Sequence, residues 1–155
     1  MDEPGRNDLS FAALLRAARA TYGKAIRAAL AEAGFDDVPG NGLFVVGAVA
    51  RTRLPMASLV RALGVTKQAA GKLVDTLALR GYVERVPDPH DRRRLLVAPT
   101  ARGTAAAAAI RAATGGIDAK LAARVPAAQV AHTRAVLLAL AALDDGSSDP
   151  AEDSP

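Results

Sequence analysis

The chain has 155 residues, half of them hydrophobic but only 3% aromatic, no cysteine, and a formal net charge of +4. That length suits one domain with its own core, and apolar content carried by alanine and leucine favours packed helices over a β-sandwich. Without cysteine there are no disulfides, no thiolate metal sites and no thiol redox sensing.

Residues 1–9 are polar and charged, read as a flexible N-terminus with no signal-peptide core. Even the most apolar stretch, Leu137 to Leu143, is far shorter than the roughly 20 residues a membrane-spanning helix needs. A soluble, cytoplasmic protein with no membrane partner is expected.

From Ser10, a good N-cap type, Phe11, Leu14, Leu15, Ala18, Tyr22, Ala25, Ile26, Ala29 and Leu30 form one stripe at helical spacing. The stripe predicts a helix to about residue 33, ended by Gly34. It is longer than a small domain can cover, so a second subunit is the natural partner for the surplus. Asn41 is expected to cap a second helix through Leu43, Phe44, Val46 and Val49. Leu54-Pro55 reads as a short extended piece. A third helix runs from about Met56 to Leu63 and stops at Gly64. Thr66 then caps a fourth, with Ala70, Leu73, Val74 and Leu77 facing inward, up to Gly81.

The period changes at Tyr82. Residues 82–86 alternate like a strand, Pro87 to Asp91 has turn chemistry, and Arg94 to Val97 is a second strand, so the pair forms a hairpin. Thr100 begins an alanine-rich helix to about Arg124 that contains Gly115-Gly116, and Pro126 opens a last helix to Leu143. Residues 144–155 hold five acids with Gly, Ser and Pro and read as a disordered acidic tail. The glycine pair predicts a kink or the close approach of another backbone at the dimer interface.

Charge is uneven along this order. Residues 51–103 hold eleven Lys/Arg against four acids, a net +7, which leaves −3 for the rest. A basic middle points to a polyanion for that segment alone. Two short helices around a glycine turn, followed at once by a hairpin, make a winged helix-turn-helix. The fold class is mostly α with a small β-hairpin wing and long flanking dimerisation helices.

The run from Leu59 to Gln68 resembles the helix-turn-helix of the MarR family of bacterial regulators. The likeness continues through Leu73 to Leu77 and Arg80 to Arg85 to Asp88-Pro89-His90-Asp91-Arg92-Arg93, then Val97, Thr100 and Gly103. The wing motif is its most specific element, and the close match covers about residues 55–103. The resemblance implies a homodimer whose long helices, residues 10–35 and 100–143, interlock around a two-fold axis. The winged region, residues 36–99, would then face duplex DNA. It also implies a small-molecule effector, since many relatives release DNA when such a ligand binds between the winged and dimerisation regions.

On the helix after Thr66, the outward set is Lys67, Gln68, Gly71 and Lys72. Gln68 can pair with adenine, and either lysine can reach guanine or phosphate. Thr66 caps the helix and can meet a phosphate at its amide end. Three successive arginines on a turn repel one another and serve no packing purpose. The resemblance places Arg92 or Arg93 in the minor groove, and Arg94, read as the first strand residue, on phosphate. Asp88 and Asp91 shape the wing, Asp91 by pairing with Arg92 or Arg93. Phe11, Tyr22 and Phe44 are candidate ligand-pocket residues, although core packing would also account for them.

Neither His90 nor His132 has a second ligand at metal spacing, Ser10 and Ser58 have no neighbouring base, and no glycine pattern fits a phosphate loop. The chain is therefore expected to be no enzyme and to need no cofactor. The expected function is a sequence-specific regulator, a repressor, on an inverted-repeat operator. The alternatives are a sequence-tolerant DNA-compacting protein and a winged-helix protein-interaction module, the latter opposed by the wing arginines.

Overall fold

The computed structural model describes residues 9–143; the tail at 144–155 and the N-terminal stretch before Leu9 lie outside the described residues. Helix α1 spans Phe11–Glu32, with the Ser10 hydroxyl accepting from the Ala13 amide at 3.3 Å. Gly34 takes φ +76°, and the Phe35 amide reaches back to the Leu30 carbonyl at 2.8 Å, so the helix ends where its sequence says it should. Helix α2 spans Gly42–Val49. Asn41 occupies its cap position but makes no side-chain cap bond, contrary to expectation, because its backbone is already helical at φ −75°, ψ −15°. A capping side chain needs the extended backbone that aims it at the first-turn amides.

The winged region follows. Strand β1 is Leu54–Pro55, α3 is Met56–Leu63 and α4 is Lys67–Leu79. Gly64 closes α3 at φ +62°. Thr66 opens α4 with its hydroxyl accepting from Ala69 at 3.2 Å. Strands β2 (Val83–Pro87) and β3 (Leu95–Pro99) pair antiparallel, Val83 opposite Pro99 and Pro87 opposite Leu95. β1 adds to the other side of β3, Leu54 opposite Val97, so the sheet has three strands in the order β1-β3-β2. Both hairpin strands start one residue later than the sequence suggested. Arg94 belongs to the turn because its amide is bonded to the Asp91 carbonyl at 2.9 Å.

Helix α5 is Ala101–Ala122 and α6 is Ala127–Ala142. Thr100 docks α5 onto the preceding elements with one hydroxyl used twice. It donates to the Gly81 carbonyl at 2.5 Å and accepts from the Gly103 amide at 3.0 Å. The Thr100 amide meanwhile donates to the Tyr82 carbonyl at 3.1 Å. Gly103 lies so near that a Cβ on it would stand 1.9 Å from that same carbonyl oxygen.

The described chain divides into two compact units, one through Gly115 and one from Gly116. In the first, Val45, Val46, Val49, Leu59, Val74, Leu77, Tyr82, Val97, Ala106 and Ala107 form a core drawn from four helices and the sheet. The inward set expected for α4 is there: Ala70, Val74 and Leu77 are fully buried and Leu73 packs against the cluster. In the second unit, α6 has no buried residue, and Val136, Leu137, Leu138 and Leu140 are exposed. Gly115 and Gly116 lie within α5, and a Cβ on either would meet nothing within 4 Å. Among the described residues, nothing outside the helix's own backbone crowds the pair.

Gly103→Ala should destabilise the fold by about 3 kcal/mol or more, since a carbonyl in the sheet junction must move to admit a methyl group. Gly115→Ala should instead be neutral or stabilising by up to about 1 kcal/mol through helix propensity. Thermal unfolding followed by circular dichroism compares the two, and equal effects would show that the contact at Tyr82 is not what Gly103 is for.

Candidate nucleic-acid interface

Helix α4 is buried along one side, which leaves Thr66, Lys67, Gln68 and Lys72 exposed and Gly71 half-buried. Gly71 has no neighbour within 4 Å of an added Cβ, so a partner could approach the backbone closely there. The outward face therefore combines two cations, one amide and a gap where a side chain would stand.

The wing is built by its acids. The Asp88 carboxylate accepts from the His90 amide at 2.9 Å, and the Asp91 carboxylate accepts from the Arg93 amide at 3.0 Å. The Asp88 amide donates to the Arg94 carbonyl, also at 2.9 Å, and closes the loop. Asp91 thus shapes the turn by holding a backbone amide, not by pairing with an arginine side chain as its position in the sequence suggested. A short carboxylate reaches the amide two residues on more easily than a mobile guanidinium. Arg92, Arg93 and Arg94 are all exposed, and none enters an ion pair among the described residues.

Helix and wing are joined in two places. Arg85 on β2 pairs with Asp75 on α4 at 2.7 Å. A cleft of about 420 Å³ between α3, the start of α4 and the wing base is lined by Pro55, Met56, Ala57, Val60, Lys67, Arg94 and Leu95. Lys67 and Arg94, 27 positions apart in sequence, therefore stand on the same side of the domain. Phe11, Tyr22 and Phe44 do not line this cleft. Phe11 and Phe44 are each 49% exposed and Tyr22 is half-buried. Among the described residues no group of three His, Asp or Glu side chains could hold a metal ion, and no helix is long and apolar enough to cross a membrane.

One polar cluster was not foreseen. The Tyr82 hydroxyl donates to the Asp37 carboxylate, and the Arg102 Nη2 donates to that carboxylate and to the Tyr82 oxygen, each at 3.0 Å. Arg80 donates to the Asp37 carbonyl. The Arg102 guanidinium lies 4.7 Å from the Tyr82 ring centre and 5.4 Å from that of Phe35, within cation–π range. The Tyr82 hydroxyl, then Arg102, hold the Asp37 carboxyl below its ordinary value, while burial pushes the Tyr82 phenol up. Asp37 and Arg102 are 65 positions apart, so no local motif announces them.

A three-stranded sheet that ends in an exposed cationic turn, beside a helix with an open polar face, defines a winged helix-turn-helix protein. Residues 37–94 match the model of the MarR family. A probable transcriptional regulator from Pseudomonas aeruginosa is 26% identical over 87% of this chain and 99% of its own, with a TM-score of 0.64. A MarR family protein from Mycobacterium tuberculosis, solved in complex with salicylic acid, is 27% identical over 86% and 98%, TM-score 0.58. A MarR family regulator from Rhodococcus, at 21% identity over 90% and 98% and TM-score 0.68, shares the fold. No curated protein matches the chain.

The depressed Asp37 carboxyl gives a pH signature. A carboxyl whose folded value lies below its unfolded one stabilises the fold above about 3.8, and that contribution is lost as pH falls through the folded value. Wild type should therefore lose its stability margin over Asp37→Asn as pH is lowered through and below about 3.8. A margin independent of pH in urea denaturation would remove the charged carboxylate from the account.

Proposed function

We propose that the protein is a homodimeric, sequence-specific regulator that binds an inverted repeat in duplex DNA and acts as a repressor. The observation that carries this reading is the cleft shared by Lys67 at the start of α4 and Arg94 at the base of the wing. A cleft lined by both cations supports one ligand for the α4 face and the wing. A helix fits the major groove, and the wing then falls on the neighbouring minor groove, with the intervening phosphates between them. Gln68, Lys67 and Lys72 read base edges or phosphate, Gly71 permits close approach, and the Thr66 end of α4 meets phosphate. Arg92 or Arg93 enters the minor groove and Arg94 holds the backbone, with Asp88 and Asp91 keeping the turn in shape.

In this reading residues 36–99 are the DNA-binding domain, and residues 10–35 and 100–143 the dimerisation helices. The exposed apolar side chains of α6 and of the start of α1, Leu14 among them, support a second copy as their cover, since monomers rarely leave such surface open. An effector that loosens DNA would bind between the DNA-binding and dimerisation regions, where Phe11, Tyr22 and Phe44 are available to it. Salicylic acid in the mycobacterial relative supports a small organic ligand. No catalytic role is assigned, and the site of action is the cytoplasm, where the DNA is.

A DNA-compacting protein would use the same cations without preference for sequence, so the test is one of ratio. Binding to the protein's own promoter region should exceed binding to random duplex by at least about a thousandfold and fall steeply with salt. Equal binding to both would favour compaction. Arg92→Ala with Arg93→Ala should weaken operator binding about thirtyfold or more with dimer and helicity unchanged, each lost contact costing about 1–3 kcal/mol. A double variant that binds like wild type would take the wing out of the mechanism.

A further inference from the structure

We propose that the Asp37–Tyr82–Arg102 cluster is the positioning device that sets which half-site spacing the dimer accepts. The inference rests on the dimeric DNA-binding reading and assigns a role within it to residues that face no DNA.

The cluster sits where three elements meet. Asp37 lies on the segment between α1 and α2, Tyr82 lies directly after α4, and Arg102 lies in the first turn of α5. Asp37 alone is bonded to all the others: Arg80 and Tyr82 at the far end of α4, and Arg102 on α5. Phe35 and Tyr82 meet edge to face at 6.2 Å, and the Arg102 guanidinium lies over both rings. The cluster thus adds a second attachment between the end of α4 and the start of α5, beside the Thr100 and Gly103 contact. Two attachments on one helix start resist rotation, as one does not.

The lever is α4 itself. The cluster holds its C-terminal end, and the reading residues Lys67 and Gln68 stand at the other, 13 residues away, about 20 Å at the rise of an α-helix. A rotation of about 10° at the anchored end moves the reading end about 3.5 Å, close to the 3.4 Å step of one base pair. A small slackening of the cluster therefore spans one register of the operator. The Asp37 and Arg102 side chains are 43% and 42% exposed, so substitution there leaves the core closed.

Duplexes selected by wild type from a random pool supply the inverted repeat, which is then rebuilt with one or two base pairs added or removed between half-sites. Wild type is expected to lose about thirtyfold or more in affinity for one base pair of misfit, and Arg102→Met and Asp37→Asn about threefold or less. Arg102→Lys keeps a cation over the rings without the guanidinium fork and should fall between them. Arg111→Met, which removes an exposed charge elsewhere on α5, should keep the wild-type profile. Circular dichroism and sedimentation verify fold and dimer for each variant. A flattened spacing profile supports the proposal. Uniform weakening at all spacings, or a wild-type profile in Arg102→Met, overturns it and leaves the DNA-binding reading standing. Failure of wild type to select any duplex removes that reading, and this inference with it.

Discussion

The place where α5 leaves the sheet is decided by the Tyr82 carbonyl. That oxygen accepts from the Thr100 amide and would lie 1.9 Å from any Cβ at position 103. Only a glycine lets the helix come so near, and the Thr100 hydroxyl, bonded at once to Gly81 and to the helix amide of Gly103, holds it there. Ala106, Ala107 and Ile110 reach the core because α5 starts hard against the Tyr82 carbonyl. The helix after Gly64 is placed by the same core through Val74 and Leu77. A wider gap at the joint would draw Ala106, Ala107 and Ile110 away from the core they share.

Polar side chains divide their work on the same principle. In the wing, the two aspartates bond backbone amides and so build the turn, which leaves the three arginines outward. At the joint, Asp37 does the opposite and gathers its cation and its phenol close. The difference is one of surroundings. An exposed carboxylate gains little from a surface ion pair, whereas one set beside a buried ring answers a hydroxyl that would otherwise lack a partner. α6, by contrast, keeps apolar side chains exposed along its length. A contiguous apolar surface of this kind is the usual mark of an interaction site.

Much of this was legible in the chain order because it depends on neighbours. Ser10, Thr66, Gly34, Gly64 and Gly81 mark helix ends through bonds that span three to five residues, and the structure places each of them so. The inward set of α4 follows from a 3.6-residue period, and the wing follows from its motif. Asn41 misled because cap type is a preference, whereas its backbone conformation is set by the chain around Pro39 and Gly42. A Cβ at position 42 would press on Leu77 and Pro39. Asp91 misled because sequence proximity to two arginines says nothing of a nearer amide.

The order of residues was thus enough for the helices, their ends, the wing and the concentration of cations in the middle third, all of which are short-range consequences of side-chain type. Folding alone brought Lys67 and Arg94 to one cleft, added β1 to complete a three-stranded sheet, and made Asp37, Tyr82 and Arg102 converge. The partners in these contacts stand 20 to 65 positions apart, and nothing local brings them together. Their meeting follows from the packing of buried faces, which fixes distances that no spacing along the chain records.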